Sequence, residues 1–265
     1  MTPLQREPAF VLRRRPYGEH GLWLDVLTRA QGRRALIARG LTGRRSAWRG
    51  YLQPFQALEL SSRGRSELQT LTEAEAGDAT FGIGVQAVTG ERFYAGCYIT
   101  ELLVHLLPQH DPCPGLYLEY GQTIAGLVQG AENWSRYLRH FERCLLEELG
   151  YAPQFTQTRD TDVPVERDRT YEFRIPEGAY AHPAEGPGAI HPVSGQVLWD
   201  IQQGIYDRPP HEPTVRRILT QTVQYYLDGR PLESRRLLRA YRHQRGTSPR
   251  GESPSPPAET APPAG

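Results

Sequence analysis

Apolar and polar positions alternate with a period of two at the start of the chain and recur with a helical period after residue 77. Residues 8–12, Pro8-Ala9-Phe10-Val11-Leu12, lead the first strand-like run. Gly21-Leu22-Trp23-Leu24-Asp25-Val26-Leu27-Thr28 is the second. The turn signal Ala30-Gln31-Gly32 precedes a third run at 34–38. A fourth covers 55–60 and a fifth 67–72. Short alternating runs punctuated by Gly predict strands. Past Gly77, residues 94–107 carry apolar side chains at helical spacing and stop at Pro108, which cannot continue a helix. Residues 116–128 predict a second helix and 134–149 a third, with Gly150 suited to end it. Residues 153–195 are rich in Pro, Gly and Asp and offer one plausible strand, 170–175. Helical spacing resumes at 196–203, 214–227 and 232–244.

The fold class that follows is α+β. Five short strands, with one long connection after the third, predict a five-stranded oligonucleotide-binding (OB) barrel over residues 1–80. Residues 81–245 predict an all-helical domain, interrupted at about 153–195 by a small irregular β-insert. From 246 to 265 the composition collapses to Ser, Pro, Glu, Ala and Gly, which cannot bury a core and predicts a disordered tail.

Charge changes this picture. Residues 1–66 hold 13 arginines against 4 acidic residues, a local balance of +9, so the remainder carries −8 of the overall +1. Such polarity points to a polyanionic partner for the barrel. Cations track phosphates along a groove, and aromatic faces stack bases. Arg13, Arg15, Arg33, Arg34, Arg39, Arg44, Arg45, Arg49 and Arg65 are therefore the candidate nucleic-acid contacts, interleaved with Tyr17, Trp23, Trp48 and Tyr51. Phe10 and Trp23 read better as core. All 31 basic residues are Arg. Selection for bidentate phosphate recognition and GC-rich coding bias both produce that, so arginine position is informative and arginine identity is not.

Mean hydropathy is −0.58, no apolar run nears the roughly 18 residues of a bilayer span, and the first residues lack the apolar core of a signal peptide. These features predict a cytoplasmic chain. Cys97, Cys113 and Cys144 form neither a disulfide framework nor a zinc ribbon. Gly82-Ile83-Gly84 does not continue as a dinucleotide fingerprint, and no P-loop occurs. His191-Pro192-Val193-Ser194-Gly195 is not a nucleophile elbow. His105 and His110 near Cys113 lack paired ligand spacing. A non-enzyme without metal or cofactor is expected.

Within 134–149, Leu138, Phe141, Leu145 and Leu149 share one face, while Arg136, Arg139 and Arg143 run along its edge. An ordinary amphipathic core helix with Arg–Glu pairs accounts for this pattern.

Together these segments resemble the RecO family of bacterial DNA-repair and recombination-mediator proteins, from Ala9 to about Arg242. The resemblance rests on Ala9-Phe10-Val11-Leu12 with Arg15-Pro16-Tyr17-Gly18-Glu19, on Leu24-Asp25-Val26-Leu27-Thr28, and on Ala38-Arg39-Gly40 with Arg44-Arg45-Ser46. It continues through Leu52-Gln53-Pro54-Phe55, Gly64-Arg65-Ser66-Glu67-Leu68-Gln69-Thr70-Leu71 and Tyr98-Ile99-Thr100-Glu101-Leu102-Leu103. Leu138-Arg139-His140-Phe141-Glu142, Leu149-Gly150-Tyr151 and Ser234-Arg235 with Leu238 close it.

The resemblance implies a non-catalytic mediator that binds single- and double-stranded DNA, anneals complementary strands and works with RecR. With RecR it helps RecA onto DNA coated by single-strand-binding protein (SSB). It also implies a helical-domain pocket for the SSB tail, which ends in an acidic stretch and an aromatic residue. Arg139 is then a candidate carboxylate clamp, with Leu138, Arg136 and Arg143 beside it, and the site of action is the nucleoid. Many relatives carry a four-cysteine zinc site in the insert; here no Cys follows Cys144. The competing reading is a generic OB scaffold that binds a protein and touches nucleic acid incidentally. Only the mediator predicts a steep salt dependence of DNA binding.

Overall fold

The computed structural model describes residues 2–42, 48–77, 88–130, 132–182 and 189–247. Strands β1 (Glu7–Tyr17), β2 (Gly21–Thr28), β3 (Gly32–Ala38), β4 (Ala57–Arg63) and β5 (Leu68–Ala76) close into a barrel in the order β1-β2-β3-β5-β4. β3 and β5 pair in parallel, Ala35 opposite Leu68. The long connection from β3 to β4 contains a one-turn helix, α1 (Trp48–Tyr51). This is the OB topology the five-run pattern predicts.

A bulge in β1 decides which way the arginines face. Ahead of it, Val11 lies opposite Val26; beyond it, Arg13 lies opposite Asp25, leaving Leu12 as the extra residue. Opposed residues share a face, so Ala9 and Val11 point into the barrel with Val26, and Phe10 points outward with Leu27. The extra residue then resets the alternation. Arg14 turns inward at the barrel mouth beside Leu24, while Arg13 and Arg15 turn outward. Without the bulge the three would exchange faces.

Helices α2 (Glu91–Leu106), α3 (Pro114–Gln129), α4 (Ser135–Glu148), α5 (Gly195–Gln202), α6 (Glu212–Tyr226) and α7 (Glu233–Thr247) follow. Their shared core reaches onto the barrel through Phe10, Leu12, Leu27 and Ala57, and is separate from the barrel's own interior. Phe10 lies 5.1 Å from the ring of Tyr117 and 5.0 Å from that of Tyr120. Phe55 presses its ring against the bare backbone of Gly96 in α2, where a Cβ would approach it to 2.9 Å. Phe10 is thus core, but of the junction between barrel and helices. Phe10→Ala is expected to cost about 3–5 kcal/mol in urea unfolding; a loss under about 1 kcal/mol would mean that the junction is held elsewhere.

The insert is more ordered than its composition predicts. Instead of one strand it holds four, β6 (Gln154–Thr158), β7 (Thr170–Arg174), β8 (Gly178–Tyr180) and β9 (Ala189–Ser194), in the order β6-β8-β7-β9. These strands are short and irregularly paired, so no alternating run announces them. Phe155 and Phe173 stack at 5.8 Å, Trp199 of α5 donates to the Val165 carbonyl at 2.8 Å, and Asp160 accepts from the backbone of Ala181 and His182. The insert contains no cysteine, so its residues do not fit the four-cysteine zinc site of many relatives; apolar packing and hydrogen bonds hold it. Helix α7 continues to Thr247, two residues into the predicted tail, and residues 248–265 lie outside the described residues.

Candidate nucleic-acid interface

The tip of the β1–β2 hairpin gathers cations over aromatic rings. Arg15 lies opposite Trp23, its guanidinium 4.6 Å from the ring centroid. Arg39, just past β3, sits 6.0 Å from the ring of Tyr17, which is 43% exposed. Arg14, Arg15 and Arg49 line one shallow cavity with Pro16 and Leu22. Arg14 and Arg49 anchor loosely to the carbonyls of Leu52 and Leu41, at 3.5 and 3.3 Å, and all four arginines remain exposed. Tyr51 is exposed in α1. Trp23 is half-buried beneath Arg15 on the outer face, not in the core as its bulk suggests. Stacking holds a guanidinium extended while leaving its edge for phosphate.

The other predicted contacts separate from this patch. Arg34 points into the far mouth of the barrel, 3% exposed, and donates to Gln31 Oε1 at 2.5 Å and to the Thr2 carbonyl at 3.5 Å. Burial lowers its pKa. Arg33 pairs with Asp25 at 3.4 Å and donates to the carbonyls of Leu103 and Val104 at the end of α2. Both are therefore fastenings of the fold, a correction to reading them as DNA contacts. The charge count is blind to this, because the hydrogen-bonding fork of Arg suits buried carbonyls as well as phosphates. Asp25 is buried among Arg33, Arg13 and Arg15; burial raises its pKa, and the three cations lower it less than burial raises it. Arg13 stands at the barrel–helix junction and lines a cavity with Phe55 and Glu101. The parallel β3–β5 register carries Arg65, in the β4–β5 turn, toward the Gly32 end of β3, away from Arg39. Arg44 and Arg45 lie outside the described residues, in the connection that leads to Arg49.

A second site opens between α2, α4, α6 and α7. Tyr94, Tyr98, Trp134, Leu138 and Leu238 supply its walls. Arg139 lines the pocket, donating through Nη1 to Thr220 Oγ1 at 2.7 Å and through Nη2 to Glu142 Oε1 at 2.8 Å. Glu142 is 0% exposed and also accepts from Tyr98 Oη at 2.6 Å. Burial raises the Glu142 pKa, while Arg139 and the Tyr98 hydroxyl lower it less. Around the opening stand Arg216, Arg235, Arg239 and Arg242. Arg242 is held by Glu91 at 2.7 Å, and Arg235 lies 5.4 Å from the Tyr98 ring. Glu101 fixes α7 by accepting from the first backbone amides of that helix, Glu233 at 2.8 Å and Ser234 at 3.0 Å.

Arg136 and Arg143 do not line this pocket. Arg136 covers the Tyr137 ring at 5.0 Å, and Arg143 turns to Glu147 and the Gln202 carbonyl, both at 3.1 Å. At 3.6 residues per turn, positions 136 and 143 lie about 20° apart, and 139 lies about 60° around the helix from 136 and about 40° from 143. The arginines that join Arg139 come from α6 and α7, a hundred residues away in sequence at the far end, which no spacing within one helix reveals.

Among the described residues, one cluster brings three metal-ligating groups together: Glu119, His140 and Cys144. His105, His110 and Cys113, the grouping suggested by proximity in sequence, do not form one. Also among the described residues, no helix is long and apolar enough to cross a membrane.

An OB barrel packed on a helical body, with arginines and aromatic rings exposed at one hairpin tip, is the architecture these residues build. Residues 1–79 match "Recombination protein O N terminal" and residues 88–236 match "Recombination protein O C terminal". The chain is 37% identical over 232 residues to the DNA repair protein RecO of Cupriavidus metallidurans, covering 88% of this chain and 76% of that one. It is 37% identical over 235 residues to RecO of Ralstonia nicotianae, with 89% and 84% covered, and 39% identical over 232 residues to RecO of Burkholderia lata, with 88% and 81% covered. The chain belongs to the RecO family of DNA repair proteins.

Proposed function

We propose that this DNA repair protein is a non-catalytic recombination mediator. It binds single- and double-stranded DNA, anneals complementary strands, and with RecR helps load RecA onto SSB-coated strands at the nucleoid. The observation that carries the reading is the hairpin-tip patch, where Arg15 covers Trp23, Arg39 lies by Tyr17, and Arg14 and Arg49 line the adjoining cavity with Arg15. Cations there release counterions from a captured strand, and neutralising two backbones lets complementary strands pair. The helical pocket suits the SSB tail. An aromatic side chain fits its apolar walls, acidic residues meet Arg216 and Arg239, and the terminal carboxylate reaches Arg139 by displacing the Thr220 hydroxyl. Charge-assisted bonds to a guanidinium favour that exchange over a neutral hydroxyl. Tethering at SSB raises the local concentration of the mediator on coated strands.

The test is annealing of complementary oligonucleotides coated with intact SSB or with SSB lacking its tail. Annealing is expected to be fast on the intact coat and slow on the tailless one. Arg216→Ala with Arg239→Ala is expected to slow the first reaction to the rate of the second and to leave naked-strand annealing unchanged. Equal rates on both coats would remove the tail from the mechanism. Failure to anneal naked strands would favour the scaffold reading.

A further inference from the structure

We propose that Glu119, His140 and Cys144 form a site for one zinc-class divalent cation that braces α3 against α4. His140 and Cys144 stand one turn apart on α4, so both side chains face α3, where Glu119 meets them. His140 Nε2 lies 3.1 Å from Glu119 Oε2 and 3.6 Å from Cys144 Sγ, and all three ligand atoms lie within 4.8 Å of one another. Zinc at its usual distances from N, O and S, about 2.0–2.3 Å, sets ligand atoms about 3.3–3.6 Å apart at the corners of a tetrahedron. The cluster is thus close to ligating geometry before any ion enters.

Three further features separate it from an ordinary His–carboxylate pair. First, Glu119 Oε2 is buried and accepts no hydrogen bond, although the His140 ring nitrogen is at ion-pair distance. The approach lacks the alignment of a hydrogen bond; a cation placed between the two atoms needs none. Second, the other ring nitrogen is already oriented. His140 Nδ1 lies 3.2 Å from the Tyr206 hydroxyl, so a Nδ1–H donated there leaves the Nε2 lone pair toward the cluster. Metal-bound histidines characteristically carry such an outer partner. Third, the donor set of thiolate, imidazole and carboxylate selects zinc-class ions over magnesium or calcium. Glu119 and Cys144 also line a cavity with Gln122, Glu147 and Glu148, which leaves room beside them for a fourth ligand. This site is distinct from the insert, which offers no cysteine.

The experiment adds Co²⁺ as a spectroscopic probe to chelator-stripped, reduced full-length protein and then displaces it with Zn²⁺. The expected result is one Co²⁺ per chain with a thiolate-to-cobalt charge-transfer band in the near ultraviolet, lost on adding one equivalent of Zn²⁺. Cys144→Ser is expected to abolish the band while keeping the far-ultraviolet circular dichroism of the parent. Tyr206→Phe, which removes only the outer partner, is expected to keep the band and to weaken Zn²⁺ binding about 10–100-fold. No band from the parent protein at one equivalent of Co²⁺ overturns the proposal, without reliance on any variant. A band that persists in Cys144→Ser also overturns it, because the thiolate would then belong to Cys97 or Cys113.

Discussion

Arg139→Ala is expected to lower the stability of the fold by about 3–5 kcal/mol at neutral pH, the usual consequence of removing one partner of a buried ion pair. Glu142 lies beneath it with no exposed surface, and Arg139 Nη2 supplies the cation at 2.8 Å. Without Arg139, Glu142 keeps the Tyr98 hydroxyl bond and loses its closest positive charge.

The pH dependence identifies the cause. Burial already holds the Glu142 pKa above its ordinary 4.5, with Arg139 opposing the rise. Between the unfolded and folded values the folded state binds more protons, so the contribution of Glu142 to stability falls as pH rises through that window. Removing Arg139 raises the folded value further and widens the window. The variant is therefore expected to lose much less stability below pH 4.5, where Glu142 is protonated in both states, than at neutral pH. Urea midpoints across that range measure it. Glu142→Gln in the Arg139→Ala background is expected to recover most of the neutral-pH loss. A loss equal at acid and neutral pH would assign the effect to packing and the Thr220 bond. This coupling also means that tail binding is better dissected with Arg239 and with Arg216, whose charge lowers the Glu142 pKa less than that of Arg139.

Replacing Arg14, Arg15, Arg39 and Arg49 together by Ala is expected to flatten the salt dependence of single-strand binding by about 3 units, at roughly 0.7 per phosphate contact. Extrapolated from 1 M salt, that slope corresponds to a loss of about 10²–10³ in affinity at 0.1 M. Thermal stability is expected to change little, since all four side chains are exposed; Arg14 and Arg49 meet the fold through single long hydrogen bonds, and Arg15 and Arg39 through aromatic faces. Arg34→Ala is the contrasting control. It removes a buried side chain and is expected to lower the melting temperature while leaving the slope unchanged. Fluorescence anisotropy against salt, with a melt of each variant, measures both. An unchanged slope in the fourfold variant would move the DNA site off the hairpin tip, toward Arg44, Arg45 or Arg65.

Much of this architecture is legible in single segments. The alternating runs and the long third connection specify the barrel, because side-chain alternation and strand count are local properties. The helices were legible for the same reason: Pro108 and Gly150 mark ends that the backbone obeys. The insert was not. Its strands are three to six residues long, and β8 lies between β6 and β7 in the sheet, out of chain order, so no single run carries their pairing. The i, i+4 spacing of His140 and Cys144 is visible in one helix, but its partner Glu119 belongs to another.

The arginines divide most sharply. Their excess over residues 1–66 follows from composition, and with it the choice of a polyanionic partner. Which of them face that partner is a matter of register and of the neighbouring helices. One bulged residue at Leu12 sends Arg13 and Arg15 outward and Arg14 to the mouth. The end of α2 presents carbonyls that draw Arg33 inward, and the chain before β1 draws Arg34. Arg139, adjacent in pattern to Arg136 and Arg143, is separated from them by about 40–60° of helix and by a carboxylate one turn on. Local periodicity is written residue by residue, so the chain carries it wherever it folds. The role of a guanidinium depends on the acceptor nearest it in space, and only packing brings that acceptor within reach.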